Sequence, residues 1–224
     1  MKKRIVIVSP ALADANNGNW QTAQRWRRLL RPNHDVRIVR QWPDGPQAQI
    51  DDAMLALHAR RSFESIEAWG QARAMGYGGD PNPAPGLAVV LTGTDLYQDI
   101  QADAHAQRSL QWAQVLVTLQ DQGPAALPAA MRARAVVVLQ STAAWQTLEK
   151  PRTRLRVVMV GHLRDVKSPQ TLFAAARLLA PSEGIVIDHI GAPLDAALGE
   201  QACGTAQACS HYRWLGALPH AQVR

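Results

Sequence analysis

Four short stretches of this chain gather the residue types that hold oxyanions. Asn16-Asn17-Gly18-Asn19 runs straight into a helical pattern that begins at Trp20. Asn and Gly tolerate left-handed backbone, and Asn19 is a natural helix N-cap. The free N–H groups of a helix start attract phosphate. A capped helix behind a polar loop would give the same letters, and no G-x-G-x-x-G pattern is present to signal NAD. His58-Ala59-Arg60-Arg61 closes an apolar run. Guanidinium groups grip oxyanions through two donors at once. In an extended chain Arg60 and Arg61 point to opposite sides, so one of them faces a cleft. His58 reads equally as a core histidine.

Thr92-Gly93-Thr94-Asp95 follows another apolar run. The glycine lets a ligand approach the backbone, and Thr94 and Asp95 supply oxygens. Asp95 suits a base, a hydroxyl binder or an N-cap. The fourth stretch, Gly161-His162-Leu163-Arg164-Asp165-Val166-Lys167, places His162, Arg164 and Lys167 within six residues. Facing a cleft between two domains, such cations would stabilise a departing diphosphate. A solvated turn with an Arg164–Asp165 surface pair is the plainer alternative.

Position decides what these stretches can do. Strands are expected at Arg4–Ser9, Asp35–Arg40, Ala53–His58, Leu87–Thr92, Val115–Leu119 and Ala135–Leu139, with helices near Trp20–Leu30, Ser62–Gln71 and Ala104–Trp112. Apolar β-branched runs alternating with helices predict a doubly wound α/β domain with a parallel sheet. Each loop named above follows a strand, so all open on one edge, where such sheets bind ligands. The stretch Gly76–Gly86 is Gly- and Pro-rich and reads as a surface loop. A second β-α-β unit is expected from Leu155–Val160, a helix at Pro169–Leu179 and Ile185–Ile190. The chain divides into residues 1–150 and 151–224, and the second Rossmann-like unit is expected to be incomplete.

Composition narrows the partners. Hydrophobic residues make up 47%, enough for a core. No run reaches the roughly 18 apolar residues of a membrane span, and IVIVS after MKKR is too short for a secretion signal. A cytoplasmic protein is expected. A net charge of +6 points to an anionic partner. The arginines are scattered and lack aromatic interleaving, which favours small phosphorylated ligands over nucleic acid. Cys203 and Cys209 build neither a disulfide framework nor a metal site, and no metal is expected.

The strand-Gly161-His162-Leu163-x-x-x-Lys167 pattern resembles the opening of the second domain in GT-B fold glycosyltransferases of the GT4 type. There the motif is Gly-Arg-Leu-x-x-x-Lys-Gly. Gly161 and Lys167 match; His162 stands in place of Arg, and Ser168 in place of Gly. Arg164 is a substitute for the missing arginine. The strings SPALADANNGNWQTAQRW, LALHARRS, VVLTGTDLY, VGHLRDVKSP and YRWLGALPHA, spread over nearly the whole chain, resemble the SenB-type selenosugar synthases of selenoneine biosynthesis.

That resemblance implies a UDP-sugar, typically UDP-N-acetylglucosamine, and selenophosphate as substrates. It implies carbon–selenium bond formation with release of UDP and phosphate, and no metal or other cofactor. His58 and Asp95 are then the expected catalytic residues. Asn17, Gly18, Asn19, Arg60, Arg61 and Thr94 are expected to bind the acceptor, and His162, Arg164 and Lys167 the donor diphosphate. Two other readings remain: an ordinary glycosyltransferase with a carbohydrate or lipid acceptor, and a non-enzymatic binder of nucleic acid or nucleotide.

Overall fold

The β-branched runs pair as parallel strands. The computed structural model describes residues 1–14, 17–73, 83–141, 147 and 149–223. It divides into two compact units, Met1–Ala143 and Ala144–Arg224.

The first unit carries β1 (Arg4–Val8), α1 (Gly18–Leu30), β2 (Asp35–Val39), β3 (Ala53–Leu57), α2 (Phe63–Arg73), β4 (Ala84–Leu91), α3 (Ile100–Ala102), α4 (Ala104–Trp112), β5 (Ala113–Thr118), α5 (Gly123–Ala126) and β6 (Ala135–Val137). The sheet order is β2-β1-β3-β4-β5-β6, with every neighbouring pair parallel. The chain leaves β1 toward β2 on one side, then returns to β3 on the other. The tips of β1 and β3 are therefore the switch point, where doubly wound sheets open a crevice.

Period-two alternation sends the strand residues to two cores. Val6, Val8, Met54, Ala56 and Val89 pack with Ile66, Trp69 and Leu110 of α2 and α4. Ile7, Leu57 and Val90 pack with Ala23, Trp26 and Leu30 of α1. Burial on both faces explains why these strands read as continuous apolar runs rather than alternating ones.

The second unit carries β7 (Leu155–Val160), α6 (Pro169–Leu178), β8 (Ile185–Ile190), α7 (Ala196–Ala208), β9 (Tyr212–Trp214) and α8 (His220–Val223). Its three strands run parallel in the order β7-β8-β9. Ile187 and Tyr212 on one face bury Phe173 and Ala176 of α6 and Leu198 and Ala202 of α7. On the other face the Asp188 carboxylate is held by Arg156 of β7 (3.2 Å) and Arg213 of β9 (2.6 Å).

Several boundaries differ from the sequence reading. β4 begins at Ala84, so Ala84, Pro85 and Gly86 belong to a strand; residues 76–82 of the expected loop lie outside the described residues. The indole of Trp69 donates to the Pro85 carbonyl (3.0 Å) and the Gly86 N–H donates to the Gln114 side chain (2.9 Å), which ties this Pro-Gly segment to the sheet. β6 ends at Val137 rather than Leu139. Helix α7 was not expected: its small residues give little amphipathic period, and its start is set by Asp195, whose side chain accepts from the Leu198 N–H (3.1 Å). β9 was not expected either; its three residues are short of a readable pattern.

Helices α2 and α4 meet at Gly70, where a methyl group would lie 2.4 Å from the Trp112 ring. Trp112 is 4% exposed and has nowhere to move. Replacing glycine with alanine inside a helix gains about 1 kcal/mol of propensity, and overpacking a filled core costs about 1–3 kcal/mol. The clash is with a ring carbon at far below contact distance, so the second effect wins. Gly70→Ala is expected to lower the urea midpoint of unfolding; a midpoint equal to or above the parent's would show that Trp112 can yield.

Candidate functional site

The turn after β3 is set by three hydrogen bonds. The His58 N–H continues the ladder to the Val90 carbonyl (2.9 Å), the Ser62 N–H returns to the His58 carbonyl (3.0 Å), and the Ser62 hydroxyl donates to the Leu57 carbonyl (2.6 Å). The price is a left-handed backbone at His58, φ 72°. That conformation costs a non-glycine residue about 1–2 kcal/mol. The chain therefore folds back at His58 instead of running on extended, and the expected opposition of Arg60 and Arg61 across a strand does not arise.

Asp95 is what holds this turn against its neighbour. The residue is fully buried. One carboxylate oxygen accepts from the Thr92 and Gly93 N–H groups (2.9 and 2.8 Å), and the other accepts from the Ala59 N–H (3.0 Å). Gly93 supplies the φ of +144° that brings its N–H to bear. Asp95 thus clamps the tips of β3 and β4 together. The residue starts a π-helical turn, Asp95–Asp99, rather than capping an α-helix.

His58 lies under this clamp, nearly buried. The Arg61 N–H donates to its Nδ1 (3.4 Å), which assigns the ring proton to Nε2. That nitrogen is 3.3 Å from the Thr94 hydroxyl and 3.8 Å from the Asp99 carboxylate. Asp99 in turn pairs with Arg60 (3.5 Å). Burial pushes the His58 pKa below the ordinary histidine value; the charge of Asp95 opposes this and Arg61 adds to it. The imidazole is neutral at pH 7.

Of the expected residues, His58, Arg60, Thr94 and Asp95 come together. Asp99 completes the group and was missed; its place four residues after Asp95, one helical turn on, is the signal that marks it. Arg61 instead lines a cavity of about 360 Å³ with Pro10, Arg40, Ser62 and Ser65, at the ends of β1, β2 and β3. Arg40, another cation not singled out from sequence, also pairs with Asp14 (3.0 Å).

Asn17, not Asn19, is the N-cap of α1: its side-chain oxygen accepts from the Asn19 and Trp20 N–H groups (3.0 and 3.3 Å). Gly18 and Asn19 fall within the first turn, and Asn16 lies outside the described residues. Two of the N–H groups expected for an anion are already taken by Asn17. No hydrogen bond among the described residues joins Asn17, Gly18 or Asn19 to the His58 group.

In the second unit the loop after β7 carries His162, Arg164 and Lys167. His162 Nδ1 accepts from the Ala192 N–H (3.1 Å), which fixes the ring across the β7 and β8 tips. Arg164 and Lys167 are exposed and make no ion pair among the described residues. Asp165 takes the Gln170 amide (3.3 Å), so the Arg164–Asp165 surface pair does not form. The Lys167 stem folds back over Gly161. Gly191 at the β8 tip is required by close approach: a methyl group there would lie 1.9 Å from the Gly161 carbonyl oxygen. The Gly191 N–H donates to the Gly216 carbonyl (2.8 Å). The β7 and β8 tips thus approach closely at Gly161 and Gly191, with the Trp214 indole donating to the Gly191 carbonyl (3.1 Å).

No family model matches the chain, and no curated protein matches it significantly. Among solved structures the chain is similar to the "lipopolysaccharide outer core galactosyltransferase WaaB apo form", with a TM-score of 0.59 and 11% identity, over 100% of this chain and 70% of that one. At that identity the likeness is one of fold. The fold is α/β of the GT-B class, with two Rossmann-like units and a parallel sheet in each. No helix among the described residues is long and apolar enough to cross a membrane.

Two outcomes follow from this geometry. Asp95→Asn keeps the shape but turns an amide NH₂ toward an N–H donor, leaving a buried donor unmet at a cost of about 1–3 kcal/mol. Denaturant unfolding should show that loss; unchanged stability would mean the three bonds are not formed. The second concerns pH. Burial lowers the pKa of both His58 and His189 from the free value of 6.5. Below that value the unfolded chain binds protons that the native state refuses, so the histidine contribution to stability is present above pH 6.5 and falls as pH drops through it. The unfolding midpoint should decline from pH 7.5 to 5.5, and less so in His189→Gln; an equal slope in both proteins would remove His189 from the account.

Proposed function

We propose that the protein is a glycosyltransferase whose second unit takes the diphosphate of a UDP-sugar and whose first unit takes the attacking group. The observation that carries this reading is the chemistry at the strand tips. Arg60 pairs with Asp99 of the His58–Asp95–Asp99 group after β3 and β4, Arg61 lines the neighbouring cavity, and Arg164 and Lys167 after β7 make no ion pair among the described residues. Cations held on rigid strand ends stabilise the charge that grows on a departing diphosphate without reorganising in the transition state.

The finer reading is a selenosugar synthase, supported by the motif strings. The selenium of selenophosphate attacks C1 of the sugar, typically N-acetylglucosamine. The C1–Se bond forms as the C1–O bond to UDP breaks, and UDP leaves with the electron pair. Water then cleaves the Se–P bond to give inorganic phosphate and the selenosugar. Selenium in this anion is already nucleophilic, so proton abstraction contributes little. A neutral His58 with its proton on Nε2 suits that chemistry: it donates a hydrogen bond to an oxyanion rather than acting as a base. Asp95 then acts as a positioning residue. Arg60 and Arg61 neutralise the acceptor phosphate, with Thr94 and the Asn17–Asn19 turn at the same sheet edge. The reading includes no metal, no nucleic acid and a cytoplasmic setting.

A second reading, an ordinary glycosyltransferase with a carbohydrate or lipid acceptor, is favoured by the solved structure in the comparison, whose name is that of a lipopolysaccharide outer core galactosyltransferase. On that reading the first unit binds a carbohydrate hydroxyl, and a base is needed.

Incubation with selenophosphate and UDP-N-acetylglucosamine separates the two. UDP release by chromatography with a selenosugar by mass spectrometry is expected. Transfer to a sugar hydroxyl with none to selenophosphate would move the assignment to the second reading. Lys167→Ala and Arg60→Ala should each lower turnover by about 10²–10³, the range for losing one charge-stabilising donor, with unfolding midpoints unchanged. Near-parent turnover in both variants would show that the chemistry lies elsewhere.

A further inference from the structure

The cations of the first unit are not all at its functional edge. At the opposite edge, where β1 and β2 begin and α1 ends, a cavity of about 560 Å³ is lined by Lys2, Arg4, Arg27, Arg31, His34 and Asp35, among others. Four cationic side chains face one carboxylate. Lys3 and Asp52 next door satisfy each other (3.5 Å). None of Lys2, Arg4, Arg27 or Arg31 makes a side-chain ion pair among the described residues; Arg27 spends only its Nε, on the Val36 carbonyl (3.3 Å). The Nδ1 of His34 is buried and has no hydrogen-bond partner among the described residues.

Helix ends favour cations, which accounts for Arg27 and Arg31 near the last carbonyls of α1. It does not account for Lys2 and Arg4, which arrive from a different element and face the same space. Nor does it account for a buried ring nitrogen left without a partner, a group that normally finds one. Like charges gathered without a counterion cost free energy, and the cost is recovered when an anion arrives.

We propose that this cavity is a second anion site, distinct from the strand-tip site, that takes a phosphate-bearing ligand of two or more negative charges. Guanidinium forks from Arg27 and Arg31 match phosphate oxygens two at a time, and Lys2 adds a point charge. The volume lies in the range of small-ligand sites, about 300–1,000 Å³. Its lining has no Trp, Tyr or Phe on which a base would stack, so the phosphate rather than a nucleobase is recognised. The phosphate can belong to a free metabolite or to a lipid headgroup.

The test is calorimetric titration of the chain with inorganic pyrophosphate, in a background carrying Arg60→Gln, Arg61→Gln, Arg164→Gln and Lys167→Gln to weaken the strand-tip cations. Saturable binding is expected to persist in that background and to weaken between about 50 and 200 mM salt. Adding Lys2→Gln and Arg31→Gln, two exposed side chains without an ion pair among the described residues, should weaken it about tenfold or more. No saturable binding in the background, or binding indifferent to Lys2→Gln and Arg31→Gln, would overturn the proposal. Sedimentation with vesicles of phosphatidylcholine, alone or with phosphatidylglycerol, separates the sources. Retention on the anionic vesicles that pyrophosphate reverses assigns a lipid headgroup, and pyrophosphate binding without retention assigns a soluble ligand. Retention on duplex RNA that pyrophosphate does not reverse would also count against it.

Discussion

The carboxylate of Asp95 is the constraint from which the first unit's site is built. Its two oxygens take three main-chain N–H groups from two separate turns, those after β3 and β4. A parallel sheet leaves its strand ends as independent loops, each with unpaired donors. Without a common acceptor these donors would turn to water and the loops would move apart. Asp95 removes that freedom, and it does so from a buried position where charge-assisted bonds are strong and no solvent competes. His58 then has only one place to go: under the clamp, left-handed, with its ring against Thr94 and Asp99.

The same burial fixes the protonation of His58. Two carboxylates stand close by, at 4.0 Å and 3.8 Å, and each favours the imidazolium. Desolvation acts the other way and is the largest effect, with Arg61 and Arg60 adding their repulsion. The balance leaves a neutral ring. Both oxygens of Asp95 are taken by main-chain N–H groups, and Asp99 shares its charge between Arg60, at one oxygen, and the His58 ring, at the other. Roles assigned from residue type alone thus change once the contacts are known: of the two residues expected to be catalytic, Asp95 is fully buried with both oxygens taken by main-chain N–H groups, and His58 is buried beside it with Nε2 against Thr94 and Asp99.

The sheet of the first unit was legible because its strands are buried on both faces, and Ile7 or Leu57 cannot be mistaken for surface. The common edge of the loops followed from parallel pairing alone. What was hidden came from interactions that have no local signature. Asn17 caps α1 in place of Asn19 because its own backbone is extended there, φ −96° and ψ −176°, while Asn19 is already helical. The Arg60–Arg61 geometry was misjudged because the turn at His58 is stabilised by Ser62, four residues later. Helix α7 is rich in Ala, Gly, Cys and Thr, so its buried positions Ala202 and Thr205 look no different in sequence from exposed Cys203. Gly191 was visible as a glycine after a strand, but the carbonyl that demands it belongs to Gly161, thirty residues earlier.

The net charge of +6 invites a single anionic partner, and the distribution of charge argues otherwise. In the first unit, cations occur at both ends of one sheet, separated by the apolar layers around β1 and β3. At the carboxyl end two arginines have an assigned neighbour: Arg60 has Asp99 and Arg40 has Asp14. Such pairs orient a guanidinium and hold its charge in reserve, which suits a site that must bind and release in each turnover. At the amino end Lys2, Arg27 and Arg31 make no side-chain ion pair among the described residues, and the carboxylates nearby are Asp35 and Asp52, the second already paired with Lys3. A site left unneutralised in this way binds more tightly and discriminates less, because no intramolecular pair must be broken before the ligand is met. The two edges therefore differ in electrostatic state: guanidinium groups paired with carboxylates at one, and a cationic cluster diluted by Asp35 and Asp52 at the other.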